Sequence, residues 1–239
     1  RKQAASDEQL TRRVHAAARQ VEAQAQVVLH AQPVDQPTRR RVAELADVQL
    51  PWVSGPAARI NLLVRGQQRM GVVGPNGVGK STALRVLAGQ LEPLAGTCWV
   101  TPEMAYLDQS LRTLDPERSV WDQLRSVNRT AAEGELRTRL AQLGLDGQRL
   151  AIASCLLGGG ERVKAALACL LYADVPPRLL LLDEPGNHLD LPSLQAVEEM
   201  LRSYRGAMLV VSHDDAFLHS LGLTDWLRAT EDGWCSRPA

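Results

Sequence analysis

Hydrophobic positions along this chain fall into two patterns. Leu179-Leu180-Leu181-Leu182 and Ala207-Met208-Leu209-Val210-Val211 are unbroken apolar runs, the form taken by strands buried on both faces of a parallel sheet. Met70-Gly71-Val72-Val73 is a shorter run of the same kind. Val48–Val53, Ile60–Val64, Gly96–Val100 and Met104–Leu107 predict further strands, with Gly55-Pro56 as a turn between the first two. Elsewhere apolar residues recur every three or four positions. Leu10, Val14, Ala17, Val21, Ala25 and Val28 form one weakly apolar helix face. That helix is entered at the capping box Ser6-Asp7-Glu8-Gln9 and ended by Pro33 and Pro37. Thr82–Ala88 reads as a second helix, closed by Gly89 and Pro93. Val120, Leu124 and Val127, then Leu136, Leu140 and Leu143, predict helical structure from Ser119 to Leu145 with Gly144 as its stop. A further helix follows Gly160, and Pro176-Pro177 stops it. Buried strands alternating with helices predict an α/β fold on a mostly parallel core sheet.

Composition narrows the function classes. Apolar content of 45% and charged content of 23% are ordinary for a globular chain of 239 residues. With 27 basic and 27 acidic residues the net charge is zero, so the chain as a whole is no blanket binder of polyanions. Basic charge does gather early: residues 1–41 hold eight basic side chains (Arg1, Lys2, Arg12, Arg13, Arg19, Arg39, Arg40, Arg41) against four acidic ones. Two readings of that segment stay open, a cationic helix that touches nucleic acid and a solvated linker. Cys98, Cys155, Cys169 and Cys235 lack the C-x-x-C spacing of a metal or redox site and read as free thiols of a reducing cytoplasm. No apolar run reaches the length of a membrane helix, and no signal peptide is visible. The chain starts at Arg1, so a segment of a longer protein is expected, with a folded domain over 42–239.

The chemistry is concentrated in Gly74-Pro75-Asn76-Gly77-Val78-Gly79-Lys80-Ser81-Thr82, which fits the phosphate-loop pattern G-x-x-x-x-G-K-[ST] without substitution. Gly74, Gly77 and Gly79 let the backbone turn so that successive N–H groups converge on a phosphate oxygen. The helix that follows aims its positive end at the same anion. Lys80 is expected to reach the outer phosphates and the Ser81 hydroxyl to ligate Mg²⁺. A predicted strand before the loop and a predicted helix after it set this apart from a glycine-rich turn with a chance lysine. The second motif is Leu179–Glu184, an apolar strand ending in two carboxylates. If its strand neighbours the one leading into the phosphate loop, Asp183 holds Mg²⁺ through its water shell and Glu184 polarises the attacking water.

The order of Gly74–Thr82, Gln109, Leu157-Gly158-Gly159-Gly160-Glu161, Leu179–Glu184, Asn187-His188-Leu189-Asp190 and Ser212-His213-Asp214 resembles the nucleotide-binding domain of ATP-binding-cassette (ABC) proteins. The resemblance covers nearly the whole chain from Val42 onward. Within that superfamily it looks like the ABC-F class, soluble tandem-cassette proteins that bind ribosomes. Glu161 after the glycines and the Asn-His-Leu-Asp loop carry that likeness. It implies a P-loop ATPase of the ABC type, a mostly parallel core sheet with an antiparallel β subdomain and a helical subdomain over about 110–173. It implies ATP and Mg²⁺ as cofactors, with Mg²⁺ at Ser81, Gln109 and Asp183. Gln109 resembles the glutamine that couples nucleotide state to the helical subdomain, and His213 the histidine that reaches the γ-phosphate. Leu157–Glu161 resembles the signature offered to an opposite cassette, and Asn187–Asp190 the loop at the cassette interface. Trp52 is placed to stack on adenine, and equally placed to be a buried strand tryptophan. Residues 1–41 would be the second half of an interdomain linker that points into the ribosome near the P-site tRNA.

Three positions depart from the family pattern: Gly158 replaces the signature serine, Gly186 a threonine, and Asp215 an arginine. With Gly158 only backbone N–H groups remain on a more flexible loop, so the site that borrows this signature is expected to be the weaker one. The functional expectation is a cytoplasmic ATPase paired with a second cassette, in the same longer chain or as a homodimer. It would act on the ribosome in antibiotic resistance or translation regulation. The alternative of another class is the energising subunit of a membrane transporter.

Overall fold

The computed structural model describes residues 39–239. The predicted helix at 6–30 and nearly all of the basic segment lie outside the described residues.

Two sheets and a group of helices make up the fold. The first sheet is antiparallel, in the order β2-β1-β4, with β1 at Arg41–Gln49, β2 at Arg59–Arg65 and β4 at Ala95–Val100. The second has the order β5-β6-β7-β3-β8-β9. It contains β3 (Arg69–Val73), β5 (Met104–Leu107), β6 (Leu179–Asp183), β7 (Ala207–Val211), β8 (Asp225–Thr230) and β9 (Gly233–Pro238). Its neighbours pair in parallel except β8 with β9. The helices are α1 (Lys80–Leu87), α2 (Val120–Val127), α3 (Glu133–Gln142), α4 (Gly147–Ala151), α5 (Gly159–Leu171), α6 (Leu191–Ser203) and α7 (Asp215–Ser220).

The lack of alternation in β6 has a direct cause. Leu179 and Leu181 pack toward α1 and the antiparallel sheet, whereas Leu180 and Leu182 pack toward α5, α6 and the helical layer. All four are fully buried. At roughly 1.5–3 kcal/mol for each leucine removed from water, this strand is a main support of both cores.

Where pattern and structure differ, local chemistry explains it. The strand expected at Val48–Val53 is instead β1, ending at Gln49. Pro51 has no N–H to give the ladder, and Trp52 sits in a turn with φ +57°. The earlier half of β1 escapes a period-2 search because register shifts near Ala43 and between Leu45 and Val48 break the alternation. The single helical stretch expected over Ser119–Leu145 is two helices. Asn128 separates them: it is fully buried, its amide donates to Tyr172 O, and its Oδ1 accepts from Ala131 N at 3.0 Å. Ser119 caps α2 by accepting from Asp122 N at 3.1 Å, and Gly144 ends the second helix at φ +73°. Strands β8 and β9 and helices α6 and α7 lie outside the elements that the pattern predicts.

The largest difference is topological. β6 and β3 are not neighbours; β7 lies between them. The two motifs still meet, because α1 crosses back over the sheet and packs on β6 and β7. Val72, Val211 and Asp183 stand in register at the carboxyl ends of β3, β7 and β6, the end at which open parallel sheets bind ligands.

Candidate functional site

Two glycines of the phosphate loop, Gly74 and Gly79, have neighbours that leave no room for a side chain. A Cβ on Gly74, at φ +151°, would lie 2.7 Å from Ala229 O. One on Gly79, at φ +104°, would lie 2.9 Å from Val53 Cγ2. Gly79 is also the N-cap of α1, so the first N–H groups of that helix face the loop. The Lys80 ammonium is enclosed there and donates to Gly74 O at 2.7 Å and Pro75 O at 2.9 Å. Burial pushes its pKa down, against the attraction of Glu184 and Asp183.

Ser81 Oγ donates to Asp183 Oδ1 at 3.0 Å, so the hydroxyl and carboxylate of the two motifs share one spot. The other carboxylate oxygen, Oδ2, accepts from Tyr106 Oη at 3.3 Å. Burial and the charge of Asp183 hold the Tyr106 phenol up at about 12. Sequence reasoning missed Tyr106, and a tyrosine in a short strand carries no signal that would single it out.

Glu184 follows on a strained backbone, with φ +55°. A left-handed glutamate costs of order 1–3 kcal/mol and persists only where the surroundings enforce it. Its N–H donates to Val211 O at 2.9 Å, which anchors the residue to β7. Its Oε1 is buried without a hydrogen-bond partner; His213 Nε2 lies 3.5 Å away, an ion-pair distance but a poor hydrogen bond. Oε2 accepts a long bond from His213 N at 3.4 Å. Burial raises the pKa of Glu184 above the usual carboxylate range, while His213 pulls the other way. Gln109, Thr82, Asn76, Gly77 and Asn187 line the same cavity as Lys80, Ser81, Glu184 and His213. Trp52 is 82% exposed, on a turn rather than in a strand, and its neighbour Val53 touches Gly79.

The glycine motif lies elsewhere. Gly158 caps α5, and Gly158–Glu161 line a second cavity with Lys164, His188 and Asp190. Leu157 turns into the core and is buried. Without a side chain on Gly158, only the returning half of a capping box forms: Gly158 N donates to Glu161 Oε2 at 2.9 Å. Glu161 is also ion-paired to Arg149. The Asn187–Asp190 loop joins the two cavities, with Asn187 in the first and His188 and Asp190 in the second. Asp190 caps α6 by accepting from Ser193 N at 3.1 Å. Gly186 is crowded, since a Cβ there would meet Leu194 Cδ1 at 3.0 Å. Asp215 opens α7, and its carbonyl contacts His219 Nδ1.

A strand, a glycine-rich loop, a helix that starts on Lys80, and a carboxylate from a second strand bonded to Ser81 are the parts of a nucleoside-triphosphate site. A model of the ABC transporter family matches residues 57–187. The chain belongs to this family. Among curated relatives, the ATP-binding protein Uup of Haemophilus influenzae is 36% identical over 162 residues, 65% of this chain and 25% of Uup. YheS of Escherichia coli is 37% identical over 155 residues, 64% of this chain and 24% of YheS. The likeness to an ABC-F type cassette drawn from the motifs is borne out by these relatives. The chain spans about a quarter of their length. Solved structures agree on the fold. An ATP-binding subunit of an ABC transporter superposes with TM-score 0.63 at 21% identity, covering 82% of this chain and 90% of that one. A bacterial Atm1-family exporter with ATP bound gives TM-score 0.66 at 17% identity, covering 86% and 41%. The expected fold class, a P-loop ABC ATPase fold of mixed α/β build with an antiparallel sheet and helical parts, stands. This is therefore an ATP-binding protein of the ABC family. Among the described residues no helix is long and apolar enough to cross a membrane.

Proposed function

We propose that this cassette hydrolyses ATP in a cytoplasmic ABC-F protein acting on the ribosome, in antibiotic resistance by ribosome protection or in translation regulation. The observation that carries the hydrolytic reading is Glu184. Its carboxylate is raised in pKa, strained in backbone, and has one buried oxygen without a hydrogen-bond partner beside the phosphate loop. Such an oxygen can accept a proton from an attacking water. His213, 3.5 Å from that oxygen, sits at the same mouth to meet the terminal phosphate. Lys80 and the first N–H groups of α1 stabilise negative charge on the outer phosphates.

The residues present fit Mg²⁺. Among the described residues no group of three or more His, Cys, Asp or Glu side chains could hold a metal alone. A Mg²⁺ bound by one or two protein oxygens plus substrate phosphates needs no such cage. Ser81 Oγ and Asp183 Oδ1, 3.0 Å apart, are the oxygens that would hold it, with Gln109 lining the same cavity. When bound, the ion would neutralise charge shared between the β- and γ-phosphates. Trp52, exposed beside the loop, would stack on adenine.

The glycine face of Gly158–Glu161 with the Asn187–Asp190 loop is read as the surface that meets a second cassette. Residues 1–41 are read as the end of a linker, and 42–239 as the cassette with its helical subdomain at about 110–173. The ribosomal assignment rests on the ABC-F class, which is supported by Glu161, by the Asn-His-Leu-Asp loop, and by likeness to Uup and YheS. Co-sedimentation of the complete protein carrying Glu184→Gln with ribosomes tests it. ATP-dependent pelleting is the expected result. Protein that binds ATP yet stays in the supernatant would overturn the ribosomal reading and direct the search to a membrane partner.

A further inference from the structure

Asp183 is a buried carboxylate, 6% exposed, and its two oxygens are engaged differently. Oδ1 accepts from Ser81 Oγ at 3.0 Å and faces the phosphate loop. Oδ2 accepts from the phenol of Tyr106 at 3.3 Å. Tyr106 stands on β5, the strand paired with β6, and is itself 9% exposed. Its aromatic body packs with the core shared by α1 and the antiparallel sheet. Its ring is thus fixed by packing and its hydroxyl by where β5 ends, with the Arg85 side chain of α1 also interacting with the phenol.

A carboxylate can turn about its Cβ–Cγ bond, and each turn changes which lone pairs it offers to a cation. A donor on one oxygen stops that motion and leaves the other oxygen aimed. Groups that orient ligands in this way typically account for 10- to 100-fold in metal affinity or activity.

We propose that Tyr106 is a positioning residue for divalent-cation binding, acting through Asp183 and not by contact with nucleotide or metal. The proposal rests on the nucleotide site described above and adds a residue that the phosphate-loop and carboxylate motifs do not contain. It predicts a defect confined to the metal-dependent part of nucleotide binding. The bond is long at 3.3 Å, so an effect near 10-fold, the lower end of that range, is expected.

The test is Tyr106→Phe in the complete protein, which keeps the ring and removes only the hydroxyl. Binding of a fluorescent ATP analogue is titrated with Mg²⁺ and repeated in EDTA. The expected result is a Mg²⁺ midpoint raised about 10-fold with the metal-free nucleotide affinity unchanged. Equal losses with and without Mg²⁺ would mean that the hydroxyl serves packing alone and would overturn the proposal. So would an unchanged midpoint. If the unmodified protein itself shows no Mg²⁺-dependent nucleotide binding, the failure lies with the nucleotide site and is visible before the variant is measured.

Discussion

Helices α1 and α5 both begin on glycines, yet their first turns are built for different purposes. At α1 the capping glycine is left-handed, Lys80 is enclosed by the loop, and Ser81 meets a carboxylate from another strand. At α5 the capping residue Gly158 has ordinary extended geometry, and its N–H is already taken by Glu161. Both helices carry the same partial positive charge at this end. A helix N-terminus becomes a phosphate site through its surroundings. Around α1 these are backbone N–H groups, an ammonium and, in Glu184 Oε1, one buried acceptor without a hydrogen-bond partner. Around α5 they are a self-supplied carboxylate and its ion pair with Arg149.

Experiments that break this contrast can be ranked. The largest effect is expected from Glu184→Gln, which removes the base but keeps the shape: hydrolysis should fall about 100- to 10,000-fold while ATP still binds. Single-turnover measurement with radiolabelled ATP checks this, and unchanged hydrolysis would place the base elsewhere. Lys80→Ala should come next. Loss of a charge-assisted contact to phosphate costs about 1.5–3 kcal/mol of nucleotide affinity. Thermal stability without nucleotide should be kept, since burial already disfavours the charged lysine. Calorimetric titration and a melting curve read the two separately.

A Cβ on Gly160 would lie 2.6 Å from Ser193 Oγ, where α5 meets the start of α6. Gly160→Ala should therefore destabilise by about 1–3 kcal/mol in urea denaturation, as overpacking does. On Gly158 the added atom meets only the Glu161 carboxylate, at an unstrained 3.5 Å. Gly158→Ser should fold normally and gain a few tenths of a kcal/mol from better capping. It should also raise turnover of the site that borrows this signature; equal turnover would show that this face is silent for another reason.

The smallest effect is at the far end of α5. Asp174 accepts from Thr130 Oγ1, Arg129 N and Thr130 N, tying the end of this helix to the α2–α3 loop. The Thr130 hydroxyl leads the interactions that hold its pKa below the usual carboxylate range. A depressed carboxylate stabilises the fold above its unfolded pKa, and the contribution is lost as pH falls through the folded one. Asp174→Asn should therefore lower stability slightly at neutral pH, and the difference from the unmodified protein should shrink as pH falls below about 4. Melting temperatures across that range measure it.

What the sequence determined by itself is local. The phosphate loop, the buried strands β3, β6 and β7, and the stop at Gly144 follow from residue types whose backbone and burial preferences act over a few positions. The bulges of β1 hide its alternation, and β8 and β9 carry no pattern that marks them as strands. Strand order puts β7 between the two motif strands, and the packing of α1 nevertheless brings Ser81 to Asp183. The tertiary structure also decided that Glu184 takes a left-handed backbone, that Trp52 stands exposed, and that Tyr106 supports Asp183. These depend on strand order and on contacts between residues far apart in sequence, 102 positions for Ser81 and Asp183. Local propensity and spacing carry no information about such contacts. Packing of the whole sheet selects them, because buried polar groups must find partners wherever the chain happens to bring them.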